Sequence, residues 1–122
     1  AVFLAKNGAS KTDIREFAAD RFGYRLDQPL AEIRRTYHFD VSCQGSVPQS
    51  LIAFFESSDY EDAVRNAISL GGDADTMAAI AGAVAEAAYG IPEDIRKKAL
   101  SYLDVPLKQV LQEFTDRFMT GA

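Results

Sequence analysis

The chain is poor in the residues that staple or decorate small domains. It has one cysteine, one histidine and no tryptophan among 122 residues. A lone Cys43 closes no internal disulfide. With only His38 for company it cannot build a thiolate–imidazole zinc site, which takes about four protein ligands, or three and a water. A staple-free chain of this kind reads as intracellular, and the cytoplasm is the expected location. Positive charge is also short. Thirteen Lys plus Arg against 18 Asp plus Glu leave a net charge of -5, so no excess of cations exists to neutralise a phosphate backbone, and no nucleic-acid partner is expected. Long apolar runs are missing too. The best candidate, residues 77–90, is made of Ala and Gly and is cut by Glu86, far from the roughly 20 apolar residues that cross a bilayer, so no membrane span is expected. An initiator Met and the basic flank of a signal peptide are both absent at Ala-Val-Phe-Leu-Ala-Lys, which reads as a chain entered midway or trimmed. No stretch is rich enough in Gly, Ser or Pro to act as a linker, and the expectation is a single domain over residues 1–122.

What is present is ordinary core-forming material: 48% hydrophobic residues, including eight Phe and five Tyr. Its spacing is helical. Ser10 or Thr12 offers an N-cap ahead of Ile14, Phe17, Ala18 and Phe22, with Gly23 at the far end. Pro29 suits the start of a short helix through about Thr36, and Tyr37 to Cys43 alternates like a loop or short strand. Gly45 and Ser46 precede Val47-Pro48, where Pro48 would sit in the first turn of a helix carrying Leu51, Ile52, Phe54 and Phe55. Asp59 can cap a helix with Tyr60, Ala63, Val64, Ala67 and Ile68 on one face. Residues 74–88 include eight Ala and one Gly, which predicts a central, buried helix that neighbours can approach closely. Pro92 and Asp104-Val105-Pro106 open two further helices. The last of these carries Leu107, Val110, Leu111, Phe114 and Phe118, a stripe expected to be core. The fold class is all-α, a compact multi-helical array.

The segment that carries chemistry is Leu70-Gly71-Gly72-Asp73-Ala74-Asp75-Thr76. Residues i and i+2 of a regular helix point about 200° apart, so Asp73 and Asp75 converge only if Asp73 still lies in the turn before the helix, and the two glycines allow that turn. Two carboxylates and a hydroxyl are hard oxygen donors of the kind that Mg²⁺, Mn²⁺ or Ca²⁺ takes. The plainer reading is that Asp73 caps the Ala-rich helix and Asp75 answers its macrodipole. Against it, no Lys or Arg occurs from Gly71 to Ile95 to neutralise acids at the mouth of an uncharged, tightly packed helix.

The run from Ala63 through Gly71-Gly72-Asp73-Ala74-Asp75-Thr76 to Tyr89-Gly90 resembles the C-terminal signature of the ADP-ribosylglycohydrolase family. Gly45-Ser46-Val47-Pro48, Tyr60-Glu61-Asp62-Ala63 and Ile91-Pro92 support the likeness, which spans at least Cys43 to Leu103. The resemblance implies an all-helical enzyme with two Mg²⁺ or Mn²⁺ ions that cleaves a glycosidic bond of ADP-ribose. The substrate would be an ADP-ribosylated protein or an ADP-ribose-containing small molecule. It implies that Asp73, Asp75 and Thr76 are metal ligands, with Asp75 the bridging, catalytic carboxylate. It further places Gly45, Ser46, Val47 and Gly72 by the substrate. Ala74 stands where a second Thr is more usual, at a position that is not a ligand. The family's remaining ligands, a Glu and a Thr-Asp-Asp cluster, belong to an N-terminal half, and nothing from Ala1 to Asp40 matches them: Asp13, Asp20, Asp27 and Asp40 are single acids. Three donors fill about half of an octahedral shell, so metal binding by this chain alone would be weak.

Three functional readings follow. The chain is a C-terminal portion of such a hydrolase, inactive without a complementing N-terminal half. Alternatively it is a truncated, non-catalytic relative acting as a helical self-association or protein-interaction module, which pairs with itself as a homo-oligomer or with another chain. Or it is an unrelated helical domain in which Asp73 is merely a cap. His38 is expected on the surface or in packing, Cys43 as a buried structural thiol, and Arg34-Arg35 as a solvated pair rather than a pyrophosphate site.

Overall fold

The computed structural model describes residues 1–119, which form eight helices and no strand. They divide into two compact units, Ala1–Gly90 and the segment from Ile91 onward. The first unit contains α1 (Val2–Lys6), α2 (Lys11–Phe22), α3 (Leu30–Thr36), α4 (Cys43–Phe55), α5 (Tyr60–Ile68) and α6 (Ala74–Tyr89). The second contains α7 (Glu93–Ser101) and α8 (Val105–Phe118).

Local chemistry sets most of these boundaries. Ser10, not Thr12, caps α2: its hydroxyl accepts from the Asp13 amide while the Asp13 carboxylate accepts from the Ser10 amide, both at 3.1 Å. Asp59 caps α5 through the Asp62 amide at 2.8 Å, and Asp104 caps α8 through the Leu107 amide at 3.0 Å. The start of α4 differs from the sequence expectation. Ser42 is the cap, accepting from the Gly45 amide at 3.0 Å, so Gly45 and Ser46 are already helical and Pro48 lies in the second turn. A hydroxyl cap supplies an acceptor for an orphan amide, whereas Pro48 merely forgoes one helical bond, and the cap decides where the helix begins.

The core of the first unit is built on α4 and α6. Five successive residues of α4, Leu51 to Phe55, are buried, so this half of the helix is surrounded. The α6 helix packs against α1, α4 and α5. It buries Met77, Ala81, Gly82, Val84 and Ala85, while Ala79, Ala83 and Glu86 on the other side are exposed. On α5 the buried residues are Ala63 and Ala67, so α5 and α6 meet across faces with little side-chain bulk.

In the second unit the stripe on α8 is not core. Leu107 is 54% exposed, Phe114 53% and Phe118 64%, and neither α7 nor α8 holds a buried residue. Helical spacing marks an apolar face but does not supply the surface that would cover it. Cys43 also departs from expectation. As the first residue of α4 it sits on an open helical end and is exposed rather than buried. His38 is on the surface. Among the described residues no helix is long and apolar enough to cross a membrane.

The two sides of α6 give a direct test. Ala85→Leu, at a position with 0% exposure, is expected to destabilise the protein by about 1–3 kcal/mol through overpacking. Ala79→Leu on the exposed side should stay within about 0.5 kcal/mol. Urea unfolding monitored by circular dichroism reads both.

Candidate metal centre

The two glycines between α5 and α6 do different jobs. Gly71 has φ +75°, in the left-handed region that other residues enter only at a cost. Gly72 is a matter of space. A Cβ there would overlap Cε1 of Tyr37 and lie 3.2 Å from its Cδ1 and 3.3 Å from the Met77 sulfur. The turn thus runs flat against an aromatic ring before Asp73 opens α6.

Asp73 is the N-cap residue by position, yet its side chain makes no cap hydrogen bond. Ser10, Ser42, Asp59 and Asp104 all make one at their helix starts. The plain capping reading therefore lacks its contact. A side-chain hydrogen bond with Asp73 is the main reason the Asp75 carboxyl titrates below the usual aspartate range, followed by the Thr76 amide, which donates to Asp75 Oδ1 at 2.9 Å. Asp75 and Thr76 are exposed and Asp73 is half-buried. Neither acid forms an ion pair with Lys or Arg among the described residues. Asp73 thus stands at the cap position of α6, with Asp75 and Thr76 in its first turn. Among the described residues no group of three or more His, Cys, Asp or Glu side chains is arranged to hold a metal ion, so these three oxygens would be a partial shell.

The predicted substrate residues divide. Gly45 lies in the first turn of α4, where a Cβ would overlap the Asp40 carboxylate. That carboxylate is held by the Ser42 amide at 2.8 Å and the Ser42 hydroxyl at 2.6 Å. The Ser42 hydroxyl bond is the largest cause, and the amide bond the next, of a lowered Asp40 pKa. The Tyr37 hydroxyl donates to the Gly45 carbonyl oxygen. One Tyr37 side chain therefore touches Gly45 with its hydroxyl and Gly72 with its ring, so those two glycines belong to one neighbourhood. Ser46 and Val47 turn away from it: Ser46 is buried and donates to the Ser42 carbonyl at 2.6 Å, and Val47 packs on the core.

Sequence reasoning missed Tyr37, Asp40 and Ser42. Tyr37 was hidden in an apparently extended stretch, and Asp40 was set aside as a single acid. The available signal was Asp40-Val41-Ser42 three residues ahead of Gly45, a hydrogen-bonding turn leading into a cap. The Tyr37 phenol has its pKa raised, first by burial and then by the charges of Asp40 and Asp73, which keeps it a donor.

The ADP-ribosylglycohydrolase family model matches residues 5–122. The likeness thus begins well before Cys43 and runs past Leu103. An uncharacterized protein of Archaeoglobus fulgidus is 39% identical over 54 residues, which are 43% of this chain and 18% of that relative. The aligned stretch therefore spans less than a fifth of the relative's length. No solved structure matches the chain.

The missing cap contact separates Asp73 from the four capped helix starts energetically. Asp59→Ala is expected to cost about 1 kcal/mol of stability, and Asp73→Ala in the presence of a chelator less than about 0.5 kcal/mol. Equal losses in urea unfolding would return Asp73 to the role of a cap.

Proposed function

The chain belongs to the ADP-ribosylglycohydrolase family, and from that premise we propose that it is the C-terminal portion of a binuclear-metal hydrolase. Its reaction is cleavage of a glycosidic bond of ADP-ribose, carried on an ADP-ribosylated protein or a small molecule. The observation that carries this reading is the opening of α6: Asp73 makes no cap bond, Asp75 follows in the first turn, and neither acid has a Lys or Arg partner among the described residues. A divalent cation would neutralise two acids placed in this way.

The donor set fits a hard divalent cation. Asp73, Asp75 and Thr76 would hold Mg²⁺ or Mn²⁺, with Asp75 as the carboxylate shared between two ions. The bound metals supply orientation of the ribose hydroxyls and of a water molecule, and stabilisation of charge as the anomeric bond breaks. The chain's own contribution is positional. The Thr76 amide fixes one oxygen of Asp75, at 2.9 Å, and so orients the other. The bare backbone at Gly72 and Gly45 lets Tyr37 lie against both, and these two glycines are proposed to meet the substrate, whereas Ser46 bonds back to its own helix and Val47 packs on the core. Three donors leave about half of an octahedral shell to be filled, which supports dependence on a complementing N-terminal half for activity.

A second reading, a helical self-association module, is favoured by the exposed stripe Leu107, Val110, Phe114 and Phe118 on α8. Light scattering separates it from the first: a monomer at tens of micromolar, with and without divalent metal, overturns self-association.

For the metal site, millimolar Mn²⁺ or Mg²⁺ is expected to raise Tm. Metal at ten times Kd adds about 1.4 kcal/mol of stability. Asp75→Ala should abolish the rise. No shift in the wild-type chain at millimolar metal overturns the proposal of a cation site in this chain.

A further inference from the structure

The acidic turn is held from outside by a helix that carries none of its ligands. Arg34, near the end of α3, donates to the Ser69 hydroxyl through two guanidinium nitrogens at 3.1 and 2.8 Å, and Ser69 is the C-cap residue of α5. Three residues on, Tyr37 is the C-cap residue of α3, its amide bonded to the Ile33 carbonyl at 2.8 Å. Its ring lies on Gly72 and its hydroxyl donates to the Gly45 carbonyl of α4. The ring is therefore pinned at both ends and cannot swing away from Gly72 as a free side chain would. A methyl group at Gly72 meets a fixed wall.

We propose that Tyr37 is a positioning residue for the metal turn, holding Gly71-Gly72-Asp73 against the first turn of α4 so that Asp73 keeps its place at the mouth of α6. The proposal rests on the metal-site reading for its functional meaning, but not for its geometry. Tyr37 is not one of the proposed ligands. It acts through Gly72, which precedes Asp73 directly. Outer partners that orient a ligand typically matter 10- to 100-fold in metal affinity. The same side chain also links the two glycines assigned to the substrate, so a shift of the ring moves both.

The test compares the wild-type chain with Tyr37→Phe, Tyr37→Ala, Gly72→Ala and the double variant Tyr37→Ala/Gly72→Ala. In the metal-free chain the Gly71 amide donates to the Ile68 carbonyl at 3.2 Å and the Met77 amide to the Asp73 carbonyl at 2.9 Å. Hydrogen exchange at these two amides reports the turn, and exchange at Ala85 reports the body of α6. Tyr37→Ala is expected to speed exchange at Gly71 and Met77 on the order of tenfold with Ala85 unchanged. Tyr37→Phe, which keeps the ring on Gly72, should do so less. Gly72→Ala should disturb the same amides in the wild-type background and add little in Tyr37→Ala, where the wall is gone. Unchanged exchange at the turn, or equal acceleration at Ala85, overturns the proposal.

Mn²⁺ uptake read by electron paramagnetic resonance adds the functional arm. Affinity should fall on the order of tenfold in Tyr37→Ala and less in Tyr37→Phe. Unaltered affinity in Tyr37→Ala overturns the positioning role. If the wild-type chain takes up no Mn²⁺, the metal-site reading fails, while the exchange data still decide whether Tyr37 holds the turn.

Discussion

The close meeting of α5 and α6 across small side chains is the constraint from which the rest of the first unit follows. Ala63 and Ala67 on one helix and Ala81 and Ala85 on the other are all at 0% exposure, and Gly82 is buried between them and the Tyr60 ring. Small faces let helix axes approach, and a close approach leaves little slack for rotation or sliding. The bulk that such faces lack is provided by α4, whose run from Leu51 to Phe55 fills the space beside them. With its axis fixed in this way, the N-terminus of α6 is fixed too, and Asp73, Asp75 and Thr76 stand on that terminus.

The same terminus is where a residue suited to capping does not cap; α1, α3 and α7 also lack a side-chain cap bond, but they begin at Ala1, Pro29 and Pro92, whose side chains carry no oxygen. Four helices begin with a side-chain oxygen that satisfies an orphan amide. At α6 the cap residue is an Asp, well suited to that task, yet it makes no cap bond. The positive end of the helix dipole favours the two carboxylates, and this offsets part of their mutual repulsion. It does not supply the missing hydrogen bond. A residue able to cap that leaves the cap bond unmade is what a functional constraint looks like in stability terms.

How much of this could be read in the sequence depends on whether the cause was local. Helix starts at Ser10, Asp59 and Asp104 were legible because a cap and the amide it serves lie three residues apart. The Ala-rich character of α6 and the oxygen donors of its first turn were legible for the same reason. The start of α4 was misread because Pro48 is a loud local signal and Ser42 a quiet one. The exposure of Leu107, Phe114 and Phe118 was not legible, since periodicity tells which residues share a face and nothing about what lies opposite. Tyr37 was hidden for a deeper reason: its contact at Gly72 is 35 positions away, and no window along the chain contains both.

That separation bears on what the acidic motif is. All three candidate ligands lie within four consecutive residues, which suggests a self-contained loop. The two contacts that hold the loop do not share this locality, for Arg34 reaches Ser69 across 35 positions just as Tyr37 reaches Gly72. Glycine makes the turn possible but does not choose its shape, because freedom at Gly71 and Gly72 is as available to other conformations as to this one. The choice is made by the end of α3, where the Tyr37 ring, together with the Met77 sulfur, lies against Gly72. An acidic turn with the same residues, but without α3 against it, would keep its donors and lose their arrangement. The ligand set therefore belongs to the motif, whereas its geometry belongs to the fold.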